Sequence, residues 1–263
     1  MKKLRIIFIP LILTVIFSAC EDVIELDLND SESKLVIEAV IVDSVGGNYV
    51  KISKSANFYD SNNFPKVSGA DVKISDEVGT IFQMTEVAPG FYYHPTLSAN
   101  YGETYKLRVA AEGMIINGTA VMPSKVQYDS LVVEENVSSF GDDGEYRVRV
   151  YFTDKVNEAN YYYMKIFWNG EKEEQEALLD DVIFDGKSTS FPIFFYGYDL
   201  GDEVRVELFN LSEKMFRYYT TLAENADGGF FSAAPGNPPP SFDKDVLGYF
   251  GAFSVDSKTV IIQ

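Results

Sequence analysis

From residue 35 onward, apolar and polar side chains alternate in short runs broken by glycine, proline and asparagine, the signature of half-buried strands. Leu35, Val36, Ile37, Ala39, Val40, Ile41 and Val42 form the richest run, and Gly46-Gly47-Asn48 predicts a hairpin turn into a partner strand over 49–52. Further strands are predicted over 70–74, 80–86 and 91–93, with turns at 76–79 and at Pro89-Gly90. Two more follow over 104–110 and 114–122, and Gly113 breaks the chain between them. About seven short strands at this spacing predict an antiparallel sandwich over 34–123.

Pro123-Ser124 marks a boundary, and a second β-rich domain is predicted over 124–263. There 146–152 alternates cleanly, and 161–168 is a long aromatic run closed by Asn169-Gly170, so both are expected as central strands. Residues 203–209 give another strand. One helix is predicted over 212–226, with Ser212 as N-cap, Met215, Tyr219, Leu222 and Ala226 at helical spacing, and Asp227-Gly228-Gly229 as its stop. In the tail, the proline-rich stretch 234–240 cannot enter a central strand. Residues 247–254 read as a strand in which Gly248 and Gly251 let the backbone approach neighbouring aromatics closely, or form a bulge.

The N-terminus follows a different rule. Lys2, Lys3 and Arg5 precede an apolar run over 6–17, broken only by Pro10 and Thr14, and Ser18-Ala19 supplies small residues for cleavage. Residues 1–19 are therefore expected to be a removed export signal and 20–33 an acidic tether. The apolar run falls short of the ~20 residues that span a bilayer. Cys20 is the one cysteine of the chain, and Phe17-Ser18-Ala19-Cys20 resembles a bacterial lipobox. That resemblance implies a diacylglyceryl thioether on Cys20 and an acylated new N-terminus. At ~0.8 kcal/mol per buried methylene, three acyl chains make attachment practically permanent.

Charge narrows the partners. The formal net charge is −18, and loss of the basic leader makes the mature chain more acidic still. Such a surface repels phosphate backbones, so nucleic acid is excluded as a partner. With Cys20 committed, no disulfide can form, and the 46% of hydrophobic residues must supply stability through cores.

Candidate chemistry is sparse. His94, the single histidine, lies between Tyr93 and Pro95 and reads as a strand-end packing residue. There is no Gly-x-Ser-x-Gly elbow, His-Glu-x-x-His helix or phosphate-binding glycine loop, so no enzyme is expected. The pairs Asp142-Asp143, Glu173-Glu174 and Asp180-Asp181 offer glycosidase-like carboxylates, at separations that a sequence does not reveal. Loops over 57–63, 141–145 and 180–185 are oxygen-rich enough for calcium, though none has EF-hand spacing, and no other cofactor is indicated. Within 191–198, alternate side chains of a strand would face outward, so Phe194, Phe195, Tyr196 and Tyr198 are candidates for an exposed patch that meets a sugar, peptide or protein; the alternative is burial between sheets or against the helix.

Several pieces together resemble a known family: Cys20-Glu21-Asp22, Lys54-Ser55-Ala56-Asn57-Phe58, Ser68-Gly69-Ala70-Asp71-Val72, Gly102-Glu103-Thr104-Tyr105, Pro235-Gly236-Asn237-Pro238 and Leu247-Gly248-Tyr249-Phe250-Gly251-Ala252. They are similar to the Bacteroidota lipoproteins grouped as domain of unknown function 4249. The resemblance implies an all-β fold with an Ig-like or transthyretin-like N-terminal sandwich. It also implies an outer-membrane lipoprotein, often encoded beside a TonB-dependent receptor, and no known activity. In that phylum an acidic stretch after the lipidated cysteine resembles a surface-export signal, which gives Glu21 and Asp22 that role and places the protein on the cell surface. The functional expectation is an accessory or cargo-capture partner of a TonB-dependent transporter. The alternatives are a calcium-assisted adhesion or envelope-structural module and, third, a hydrolase of envelope polymer.

Overall fold

The computed structural model describes residues 33–56, 64–136, 144–174, 176–193, 196–227 and 236–263. The strands are β1 (Leu35–Val42), β2 (Tyr49–Lys54), β3 (Asp71–Ser75), β4 (Ile81–Gln83), β5 (Thr85–Ala88), β6 (Phe91–Tyr93), β7 (Thr104–Ala111), β8 (Met114–Val121) and β9 (Gln127–Glu135). They continue with β10 (Tyr146–Thr153), β11 (Tyr161–Trp168), β12 (Glu171–Lys172), β13 (Ala177–Asp180), β14 (Ser188–Pro192) and β15 (Glu203–Leu211). Helix α1 (Glu213–Asp227) and the long β16 (Leu247–Ile261) close the chain. Among the described residues no helix is long and apolar enough to cross a membrane.

Three sheets make an all-β sandwich. The largest runs β12-β11-β15-β16-β1-β2-β6-β5, with β13 also on β11; β4-β3-β7-β8 and β14-β10-β9 are the smaller two. Every described strand pair is antiparallel except one, in which β1 runs parallel to β16 with Ile37 opposite Gly248. That pair welds strands from the two ends of the described chain, and Ser33–Gln263 form one compact unit.

Why β1 is apolar almost throughout follows from its position. Leu35, Ile37, Ala39 and Ile41 meet Val72, Ile74, Leu107 and Val109 of the four-stranded sheet in a first core. Val40 and Val42 enter another core on the opposite face, under α1. A strand covered on both faces loses its alternation. A further core joins Val148, Val150 and Phe152 of β10 to Tyr162, Met164, Val204 and Val206 of the large sheet. Two of these cores fall on either side of residue 123, but Phe250 and Ala252 of β16 complete the first while Val260 packs on the other, so one strand serves both.

Details depart from the alternation in the sequence. Residues 80–86, expected as one strand, divide at Met84, whose N–H donates to Val72 O at 2.9 Å. The chain there passes from the four-stranded to the nine-stranded sheet. Helix α1 begins as expected: Phe216 N–H donates to Ser212 O at 3.0 Å, and Met215 N lies 3.4 Å from Ser212 Oγ. Met215 is buried, but Leu222 is 42% exposed, because only the first turns lie on the sheet. Pro192 sits in β14, an edge strand, where its missing N–H leaves no gap in the ladder.

Candidate functional site

Between the outer face of the nine-stranded sheet and α1 lies a recess of about 270 Å³. Its floor is a set of same-face neighbours fixed by register: Tyr163 opposite Phe209, Lys165 opposite Glu207, Phe209 opposite Val255, and Val42 opposite Phe253. Because side chains alternate along a strand, Tyr161, Tyr163, Lys165 and Phe167 of β11 share this face. The helix closes one side. Tyr219 stacks on Tyr163 with ring centroids 5.1 Å apart and also packs against Tyr249 at 5.8 Å. Gly251 makes room for this arrangement, since a Cβ there would lie 2.3 Å from Phe253 Cζ and 3.2 Å from Met215 Sδ.

The polar groups of the recess are unequally matched. The Tyr49 hydroxyl donates at 2.6 Å to Glu38, which lies outside the lining and pairs with Lys51 at 3.3 Å. Glu207 is paired with Arg205. Lys165 forms no ion pair or conventional hydrogen bond among the described residues; its Nζ lies 4.7 Å from the Phe209 ring centroid and 5.4 Å from that of Tyr163. Burial holds the Lys165 ammonium below the ordinary lysine value, against the more distant pull of Glu176 and Glu207. Burial likewise pushes the Tyr219 hydroxyl up to about 12, so it stays protonated.

Sequence reasoning did not single out Lys165. The available signal was parity, because it falls on the same side of β11 as Tyr161, Tyr163 and Phe167. What parity does not tell is that this side faces a recess.

Of the candidate aromatic patch, only Tyr196 and Tyr198 fall among the described residues. Phe194 and Phe195 lie outside the described residues, and Tyr196 is half-buried. Tyr198 is fully buried, which removes it from the candidate exposed patch and agrees with the alternative of burial. Its N–H and C=O exchange hydrogen bonds with Tyr146 at 2.8 and 3.0 Å, and its ring packs edge-on to Trp168 at 5.3 Å. Cys20, Glu21 and Asp22 also lie outside the described residues. His94 takes the strand-end position expected of it, with Nδ1 accepting from Leu97 N–H at 3.1 Å.

One of the three oxygen-rich loops gains a partner. Asp181 and Asp185 converge with Asp154, at the end of β10, so that one carboxylate oxygen from each lies within 4.8 Å of the others. Asp154 accepts from the Tyr162 hydroxyl at 2.6 Å and from Gly186 N–H at 2.7 Å; Asp181 accepts from Asn160 N–H at 2.7 Å. The carboxylates are thus held in place by donors, with oxygens left over that could take a hard cation. Asp180, by contrast, is exposed and is not part of this convergence. Residues 57–63 and 141–143 of the other two loops, Asp142 and Asp143 included, lie outside the described residues.

A family model described as Domain of unknown function (DUF4249) matches residues 21–259. No curated protein matches the chain. Among solved structures, a pullulanase from Anoxybacillus sp. LM18-11, complexed with maltotriose, aligns at 13% identity with a TM-score of 0.21. The alignment covers 65% of this chain and 24% of that enzyme, so the chain spans about a quarter of its length. A likeness at that level carries no inference about either fold or activity.

Proposed function

The chain belongs to the family defined by domain of unknown function 4249, and from that premise we propose that it is a non-enzymatic lipoprotein of the bacterial outer membrane, anchored at the cell surface through Cys20, that captures cargo for a TonB-dependent transporter. The observation that carries the reading is the recess between the sheet and α1. It is concave, lined by Tyr163, Phe209, Tyr219 and Phe253, and supplied with one cation, Lys165. Ring faces with few polar groups suit holding a ligand. The lipobox-like Cys20 supports the membrane address, and Glu21-Asp22 support the outward-facing side.

Two measurements test this proposal together. Immunoprecipitation from native membranes in mild detergent is expected to bring down a TonB-dependent transporter with the wild-type protein. Cys20→Ala is expected to move most of the protein from the membrane to the soluble fraction. Recovery without any transporter, or unchanged partition of the variant, overturns the corresponding half.

A second reading, a calcium-assisted adhesion or envelope-structural module, is favoured by the convergence of Asp154, Asp181 and Asp185. Calcium at a hundred times its dissociation constant would add about 2.7 kcal/mol. For a unit of this size that raises Tm by roughly 5–10 °C. The rise is expected to vanish in Asp181→Asn, and a wild-type Tm indifferent to calcium and chelator removes this reading.

A further inference from the structure

We propose that the recess binds a carboxylate carried on a single ring, with Lys165 as the partner of the carboxylate. The proposal rests on the capture reading and names the class of cargo.

Only Glu207 and Lys165 are charged among the lining residues, and Glu207 is held by Arg205; Glu38, outside the lining, is held by Tyr49 and Lys51. Glu176, which does not line the recess, is paired with Lys172. Lys165 remains, its ammonium half-buried between the Tyr163 and Phe209 rings with no acceptor among the described residues. A cation taken out of water costs free energy unless an anion or hydrogen-bond acceptors replace the lost hydration. Cation–π contact recovers only part of that, ~0.5–2 kcal/mol. The site is therefore short of one negative charge.

The surroundings limit that charge to one. One ammonium without an anion lines the recess, so a single carboxylate balances it and a dianion such as phosphate leaves a charge over. Size and walls decide the rest of the ligand. At about 270 Å³ the recess lies just below the ~300–1,000 Å³ usual for drug-sized ligands. One ring with a short substituent fits this volume; an oligosaccharide lying wholly inside does not. The aromatic side chains that line the recess, Tyr163, Phe209, Tyr249 and Phe253 among them, favour a ring over a flexible chain. Both a uronic acid and an arylacetic acid satisfy this chemistry.

Isothermal titration of the mature, full-length protein in detergent distinguishes the sources. The probes are glucuronate against glucose, and phenylacetate against phenylacetamide. The wild type is expected to bind at least one acid tenfold or more tightly than its neutral counterpart. A preference within the first pair assigns a uronic acid, and one within the second an aryl acid. Lys165→Met, which keeps an unbranched stem as far as Cε and removes the ammonium, is expected to abolish the preference while leaving the neutral counterpart's affinity within twofold. Should the variant fail to fold, the wild-type ratio decides alone. Equal binding of acid and neutral partner, a preference that survives in Lys165→Met, or no binding of any probe at millimolar concentration overturns the proposal. Co-purification of the transporter in those cases leaves the capture reading standing.

Discussion

Gly248→Ala is expected to destabilise the protein by about 4 kcal/mol, the sum of a strained backbone conformation and an overpacked contact. Gly248 has φ +98°, and a Cβ built on it would lie 2.1 Å from Ile37 O and 2.8 Å from Ile37 C. Backbone on the partner strand is what it meets, so rotamer changes cannot relieve the clash. The two strands must separate at the Ile37–Gly248 position, where β1 and β16 form their parallel pair. Because that pair joins the halves of the nine-stranded sheet, its loss loosens every core at once. Urea denaturation should report the full loss, with a fall in Tm of roughly 10 °C. Gly251→Ala provides the contrast: the nearest atoms there belong to the Phe253 and Met215 side chains, which can rotate. A Gly248→Ala cost no larger than that of Gly251→Ala would show that the β1–β16 register is not as described.

How much of this was legible in the sequence depends on the distance over which each feature is decided. The hairpin at Gly46-Gly47-Asn48, the strands at 104–110 and 146–152, and the start of α1 at Ser212 are decided by neighbouring residues, and the alternation and caps show them. The parallel pairing of β1 with β16 is decided between residues more than two hundred positions apart, and no periodicity names a partner. Gly248 and Gly251 are legible as places of close approach; Gly251 does meet an aromatic ring, whereas Gly248 meets a carbonyl. The aromatic residues show the same limit. Alternation says that Tyr196 and Tyr198 share a face, and only the bridge to Tyr146 makes that face interior at Tyr198. Likewise, 180–185 is oxygen-rich in sequence, but the converging Asp154 follows a strand of a different sheet. For the recess, parity on β11 groups Lys165 with tyrosines, while α1 and Phe253 turn that grouping into a cavity.

Asn48→Leu is expected to cost about 4 kcal/mol, because it leaves two buried backbone groups without partners at ~1–3 kcal/mol each and removes a third bond besides. Asn48 is fully buried. Its Oδ1 accepts from Val42 N–H at 2.8 Å, and its Nδ2 donates to Leu97 O at 2.6 Å and to Ser44 O at 3.0 Å. An amide is needed here, since one end must accept and the other donate. Asn48→Asp tests that requirement in a second way. Its ionised carboxylate can still accept from Val42 N–H but would face the Leu97 and Ser44 carbonyl oxygens, and the folded state would raise its pKa above the unfolded value. The variant should therefore be least stable above the folded pKa and regain stability as pH falls through it, when the protonated acid donates to one carbonyl. Wild-type and Asn48→Asp urea midpoints that shift in parallel with pH would contradict this. The same turn carries Ser44 and Gly47 to the rim of the recess beside Val42. Loss of these bonds frees the rim as well as weakening the sheet, so in the fraction of Asn48→Leu that remains folded, affinity for a ring-borne carboxylate should fall along with stability.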